Sequence, residues 1–179
     1  MPTIKTLFIY LLLIFAPPLS AEVLISPVDA MKYAYGQNSE VIQDNILLSS
    51  EQESKISQEA QTVLDTKIFK VFKAVTENKT LGYGILINKK VRSKNAVVLY
   101  MITRESVLKG IEIIAFNEPV EYLPSKEWNS QFQNIPTTKM LRLSKEIPTI
   151  TGATLSARSV TDSSRVAFAF YNEVLKEKE

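Results

Sequence analysis

The sequence predicts an α+β domain: a twisted antiparallel sheet with helices packed on it, and a C-terminal helix that follows a glycine-bearing turn. Three observations carry this. Four β-branched or alternating runs succeed one another between residues 67 and 116, separated by short turns. Two segments with helix-start signals precede them. A long stretch of helical period closes the chain.

At 179 residues the chain has room for one domain, and 45% hydrophobic residues are enough to build a core. Lys and Arg number 21 against 19 acids, a balance that argues for neither nucleic acid nor an anionic surface as a general partner. There is no His and no Cys. Imidazole chemistry, thiol nucleophiles, thiolate metal sites and c-type haem attachment are therefore excluded. A metal would need carboxylates and carbonyls alone, and no Asp-rich loop is visible. No metal and no nucleic acid is expected.

The elements follow in order. Lys5, an apolar run over residues 6–16 and small residues at Ser20 and Ala21 read as a secretory signal peptide, cleaved after Ala21. Residues 1–21 are thus the signal. Residues 22–179 form a single domain with its core at about 65–175, exported to the periplasm, or membrane-associated if the signal stays uncleaved. Ser26, Pro27 and Asp29 open a first helix that Gly36 stops. Ser50 with Glu53 three residues on suggests a capping box for a second, and the intervening EVIQDNILL is extended.

KIFKVFKAVT, LGYGILINKKV, NAVVLYMIT and VLKGIEIIAF are the four strands of a meander. Gly82 and Gly84 fall on one face of the second; they admit a close backbone or ligand, or else relieve crowding under a helix. Asn78-Lys79-Thr80 matches a glycosylation sequon by pattern and carries no argument. After the polar NEPVEYLP, residues 124–134 read as a short helix capped by Ser125 or Pro124. From Leu155 to Lys176 apolar residues recur at Val160, Val166 or Ala167, Phe170, Tyr171 and Val174, which gives one core-facing stripe before a solvated KEKE tail.

The turn before that helix reads ITGATLS. Gly152 permits positive φ or close approach, Ala153 keeps bulk away, and Thr151, Thr154 and Ser156 offer hydroxyls at a helix start, where unpaired amides attract phosphate. The same residues serve equally as a plain N-cap, worth about 1 kcal/mol. The residues alone leave both readings open.

TITGATLSARSV resembles the flavinylation motif of FMN-binding domains, a family that includes FMN-carrying subunits of Rnf-type and sodium-pumping NADH:quinone oxidoreductase complexes. In that family the motif runs Asp-x-x-Ser/Thr-Gly-Ala-Thr, and a flavin transferase joins FMN to the last Thr by a phosphoester. Thr151, Gly152, Ala153 and Thr154 match, with Thr154 at the attachment position. The similarity extends over residues 81–171, including the strand, Glu-Pro turn and Trp-bearing helix of residues 111–132. Pro148 stands where the motif has its leading Asp, with Glu146 two residues earlier. Since the transferase reads that Asp, the departure leaves noncovalent FMN, or loss of the flavin, as alternatives to a covalent bond.

The resemblance implies an electron-transfer flavoprotein: a carrier rather than an enzyme with its own substrate, exchanging electrons with a membrane or periplasmic redox partner. Its cofactor-binding set would be Thr151, Gly152, Ala153, Thr154, Leu155 and Ser156. Arg92 would face the flavin phosphate or ring, Tyr122 and Trp128 would stack on the ring, and Glu118 would accept from a flavin N–H. The alternatives are a flavin-free periplasmic binding or assembly module on the same fold, and a flavin reductase.

Overall fold

A computed structural model describes residues 22–77 and 79–176. The signal segment, Asn78 of the sequon and the last three residues of the tail lie outside the described residues. Within them the chain runs β1 (Glu22–Val23), α1 (Pro27–Tyr35), β2 (Glu40–Leu47), α2 (Ser50–Ala60), β3 (Ile68–Thr76), β4 (Lys79–Lys90), β5 (Asn95–Thr103), β6 (Val107–Phe116), α3 (Lys126–Asn129), β7 (Ile135–Pro136) and α4 (Thr154–Phe170). All strand pairs are antiparallel, and the sheet order is β1-β6-β5-β4-β3-β2. The short β7 pairs with the start of β6 (Leu108 opposite Ile135) and β1 with its end (Val23 opposite Ala115), so the two share one outer edge.

The four-strand meander is as expected, because β3 to β6 combine β-branched alternation with tight connections. The stretch before α2 is itself a strand. β2 pairs along its whole length with β3 and closes the other edge, and Gln43, Asp44 and Asn45 keep that edge polar and exposed.

Alternation on the central strand divides the core. Ala96, Val98, Tyr100 and Ile102 point to one face, where they meet α4 and α2; Leu99 and Met101 point to the other, where they meet Ala30 and Met31 of α1. Helices therefore cover both faces of the sheet.

The helix ends show their local logic. Ser26 accepts from the Asp29 amide at 3.0 Å, Pro27 is the first helical residue, and Gly36 ends α1 at φ +115°. The expected capping box exists one residue earlier than read. Ser49 Oγ accepts from the Gln52 amide at 3.1 Å and Gln52 Oε1 from the Ser49 amide at 3.0 Å, leaving Ser50 as the first helical residue. Ser49-Ser50 and Gln52-Glu53 give two registers with the same signature, and the preceding strand selects the first. The Trp-bearing helix is only Lys126–Asn129, capped by Ser125, and tightens into a 3₁₀ turn at Ser130–Phe132.

The last helix departs most from expectation. Rather than one core-facing stripe, nearly all of α4 is buried, including Ser156, Ser159, Thr161, Ser163 and Ser164, because α2 packs on its outer side. Thr161 and Ser164 return their hydroxyls to the Ala157 and Thr161 carbonyls at 2.8 and 2.6 Å, which makes burial of these small polar residues affordable. Past Phe170 the chain winds into one π turn, Tyr171–Leu175, and Tyr171 Oη donates to the Thr103 and Arg104 carbonyls. Among the described residues no helix is long and apolar enough to cross a membrane.

The paired glycines of β4 lie under α1. A Cβ at Gly82 would fall on the Tyr35 hydroxyl and the Ile102 carbonyl oxygen, and one at Gly84 would lie 2.6 Å from Met31 Sδ. Close helix approach is thus their structural use. Backbone cannot yield as a Met side chain can, so Gly82→Ala is expected to lower the urea midpoint more than Gly84→Ala, by about 1–3 kcal/mol of stability. Gly110→Ala, whose nearest neighbour would be Gln133 Cγ at 3.9 Å, is expected to leave stability within about 0.5 kcal/mol of wild type.

Candidate functional site

α4 begins beside the β4–β5 turn, and the chain enters it through a tight turn over residues 150–153. The Ala153 amide donates to the Ile150 carbonyl at 3.1 Å, with Gly152 at φ +81° in the third position, as a type II turn requires. The N-cap residue is Ala153, and no side chain caps the helix. This corrects the plain-cap reading of the threonines: Thr154 is the first helical residue, and its hydroxyl makes only a long 3.4 Å contact to the Ile150 carbonyl. The first backbone bond of the helix runs from the Ala157 amide to the Ala153 carbonyl at 3.1 Å, so the amides of Thr154, Leu155 and Ser156 precede the ladder. They form the positive end of a 17-residue helix.

Against this end lies a cavity of about 60 Å³, lined by Val91, Arg92, Glu118, Tyr122, Gly152, Leu155 and Ser156. It has room for a few waters or one tetrahedral oxyanion. Six residues selected from sequence thus converge here: Arg92, Glu118, Tyr122, Gly152, Leu155 and Ser156. Thr151 and Thr154 are exposed on the turn outside the lining, and Ala153 is buried beneath it. Arg92 is exposed and enters no ion pair among the described residues.

Glu118, also in the lining, has a structural use. Its Oε1 accepts from the amides of Arg92 (3.0 Å), Ser93 (2.5 Å) and Lys94 (2.7 Å), and Ser93 Oγ lies 3.2 Å from Oε2. The residue is buried, with three amides on Oε1 and the Ser93 hydroxyl on Oε2. Those amide bonds, that of Lys94 foremost, hold it ionised and lower its pKa to about 2 despite burial. Glu118 is the clamp that sets the Arg92 turn against α4. Sequence could not reveal this, because the amides that need the carboxylate lie 24 to 26 residues away.

Trp128 is likewise part of the support and is absent from the cavity lining. It is buried against Phe132, ring centroids 5.1 Å apart, and its Nε1 donates to the Pro148 carbonyl at 2.9 Å. That bond ties the strand-like approach to the turn onto α3. Glu146 is committed as well. It forms a two-pronged pair with Arg142, Oε1 to Nη2 at 2.9 Å and Oε2 to Nε at 3.1 Å, which lowers its pKa to about 2. Neither Pro148 nor Glu146 offers a free carboxylate at the position before the turn. Among the described residues no group of His, Cys, Asp and Glu is arranged to hold a metal ion.

The fold and site define an α+β protein with an uncapped helix N-terminus beside an arginine turn. No protein-family model and no curated protein matches this chain.

The Glu118 clamp has a pH signature. Its folded pKa is depressed from the ordinary 4.5, so its stabilisation is fully present above that value and is lost as pH falls towards about 2. Wild type is expected to be more stable than Glu118→Gln at pH 7, with the difference in thermal midpoint shrinking between pH 5 and about 2. A constant difference across that range would remove the clamp.

Proposed function

We propose that this protein is an exported electron carrier that holds FMN at the 150–156 turn, with the flavin phosphate joined to Thr154 Oγ. The observation that supports it best is the convergence of Arg92, Tyr122, Gly152, Leu155 and Ser156 on a cavity of phosphate size at a helix start that no side chain caps. The free amides of Thr154 to Ser156 and the unpaired Arg92 guanidinium supply positive potential where a phosphate would sit. Glu118 adds a charge of the wrong sign to the lining, but its Oε1 is engaged by the Arg92–Lys94 amides, whose dipoles offset it locally. Thr154 is exposed, so a transferase can reach its hydroxyl. The resemblance of TITGATLS to the flavinylation motif turns a phosphate site into a flavin site.

Bound FMN would supply one- and two-electron chemistry. The protein's share is to fix the phosphate, to orient the ribityl chain out of a cavity too small for the ring, and to leave the ring accessible. Tyr122, half-buried at the cavity, is the aromatic residue placed to meet it. Without Cys or His the chain has no thiolate or imidazole for internal relay, so a membrane or periplasmic redox protein would deliver and remove the electrons. A flavin-free binding or assembly module is the second reading. It is favoured by one observation: the carboxylate nearest the missing motif Asp is locked to Arg142.

Intact mass separates these readings. Exported with a flavin transferase, the protein is expected to gain the mass of FMN less water, stable to denaturation and lost in Thr154→Ala. Yellow colour lost on denaturation would mean FMN held without the bond. A colourless protein of bare mass that Pro148→Asp does not convert would favour the flavin-free module.

A further inference from the structure

A second and larger cavity lies further along α4, at the end of the sheet where β3 begins and β4 ends. Its volume is about 460 Å³, within the range of about 300–1,000 Å³ typical of small-molecule sites. The loop after α2 forms one wall through Val63 and Leu64, the sheet supplies Phe69 and Ile87, and α4 contributes Val166. Val63 and Ile68 stand largely exposed at its edge, 82% and 59%, an uneven cost for a chain with nothing to cover them.

The charged residues of the lining are Lys89, Lys70 and Asp65, and alternation along β3 puts Lys70, between core Phe69 and Val71, on the far face of the sheet. Lys70 and Asp65 are exposed, whereas Lys89 is half-buried. It follows Ile87 by two residues, so strand alternation puts it on the α4-facing side, where Ile87 belongs to the core. Lys89 has no ion pair among the described residues. Lys89 therefore lies half-buried beside apolar side chains with no carboxylate paired to it, its stem on the cavity wall and its ammonium available to an anion.

We propose that this cavity binds a small amphipathic monoanion, with its apolar body between Phe69, Ile87 and Val166 and its anionic head on Lys89. The site is separate from the Arg92 cavity, and it stands whether or not FMN is carried. A dianion would exceed the one ammonium on this face, and a purely apolar guest would leave Lys89 without a partner.

The probe is 2-naphthoate, with 2-naphthamide as its neutral isostere, titrated calorimetrically into the purified exported protein. The expected result is one saturable site for naphthoate, at least tenfold tighter than naphthamide, with methyl NMR shifts at Ile87 and Val166. Lys89→Gln is expected to erase the preference while naphthamide binding persists. Val166→Trp should weaken both probes at least tenfold; Leu64→Trp, on the loop wall, replaces it if circular dichroism shows that variant unfolded. No saturable naphthoate binding, equal affinity for the two probes, a preference unchanged in Lys89→Gln, or shifts centred on Val91 and Leu155 would each overturn the assignment.

Discussion

The docking of α4 across the sheet is the constraint on which the remaining features depend. The helix is buried on nearly every side, which α-helices of ordinary amphipathic composition do not tolerate. Its buried positions therefore carry Ala, Val, Phe and small hydroxyl residues, of which Thr161 and Ser164 bond within the helix and Ser159 reaches the Lys90 carbonyl. Two bonds then fix its placement. Tyr100 Oη, which burial keeps protonated, donates to the Val160 carbonyl at 2.8 Å, and Tyr171 Oη reaches Thr103 and Arg104 at the far end of the same strand. With the second half of β5 bonded both to the helix and to the π turn that follows it, neither sliding nor rotation is available without orphaning a buried phenol.

That placement decides what lies at the helix start. Because α4 begins over the β4–β5 turn, its exposed amides face Arg92, and the turn is held in place from below by Glu118. The clamp is an economical device: one carboxylate satisfies three successive amides of a tight turn that no strand could reach. A matching restraint acts on the other side, where Trp128 holds the Pro148 carbonyl and so fixes the approach to Gly152. The two anchors come from one segment, residues 118–128, which turns a loop between strand and helix into the scaffold of the site.

The two cavities lie along one helix, the smaller against Ser156 and the larger against Ser163 and Val166. Between them Ser159 Oγ contacts the Lys90 carbonyl at 3.5 Å, so the end of β4 separates them. Lys89 lines the larger, and Val91 and Arg92 line the smaller. The chemistry differs accordingly: amide dipoles and a guanidinium suit a compact oxyanion, whereas a single ammonium over apolar walls suits an anion with a hydrophobic body.

The sequence by itself determined what depends on neighbours along the chain. Strand alternation gave the meander, Ser26 and Gly36 gave the ends of α1, and the Thr-Gly-Ala-Thr turn marked the helix start, because each rests on backbone preferences spanning a few residues. It also picked out Arg92 and Tyr122 as companions of that turn, through resemblance rather than spacing. Tertiary structure decided the rest. It made EVIQDNILL an edge strand, since an isolated extended segment shows no partner until β3 offers its free side. It turned Gly82 and Gly84 into the seat of α1, Glu118 into a clamp and Trp128 into a tether, because each role is defined by atoms far away in sequence. Ala153 as an unassisted N-cap is the plainest case: the composition allowed a capped helix, and only the φ of Gly152 and the turn it closes put Thr154 one residue past the cap and Thr151 two before it.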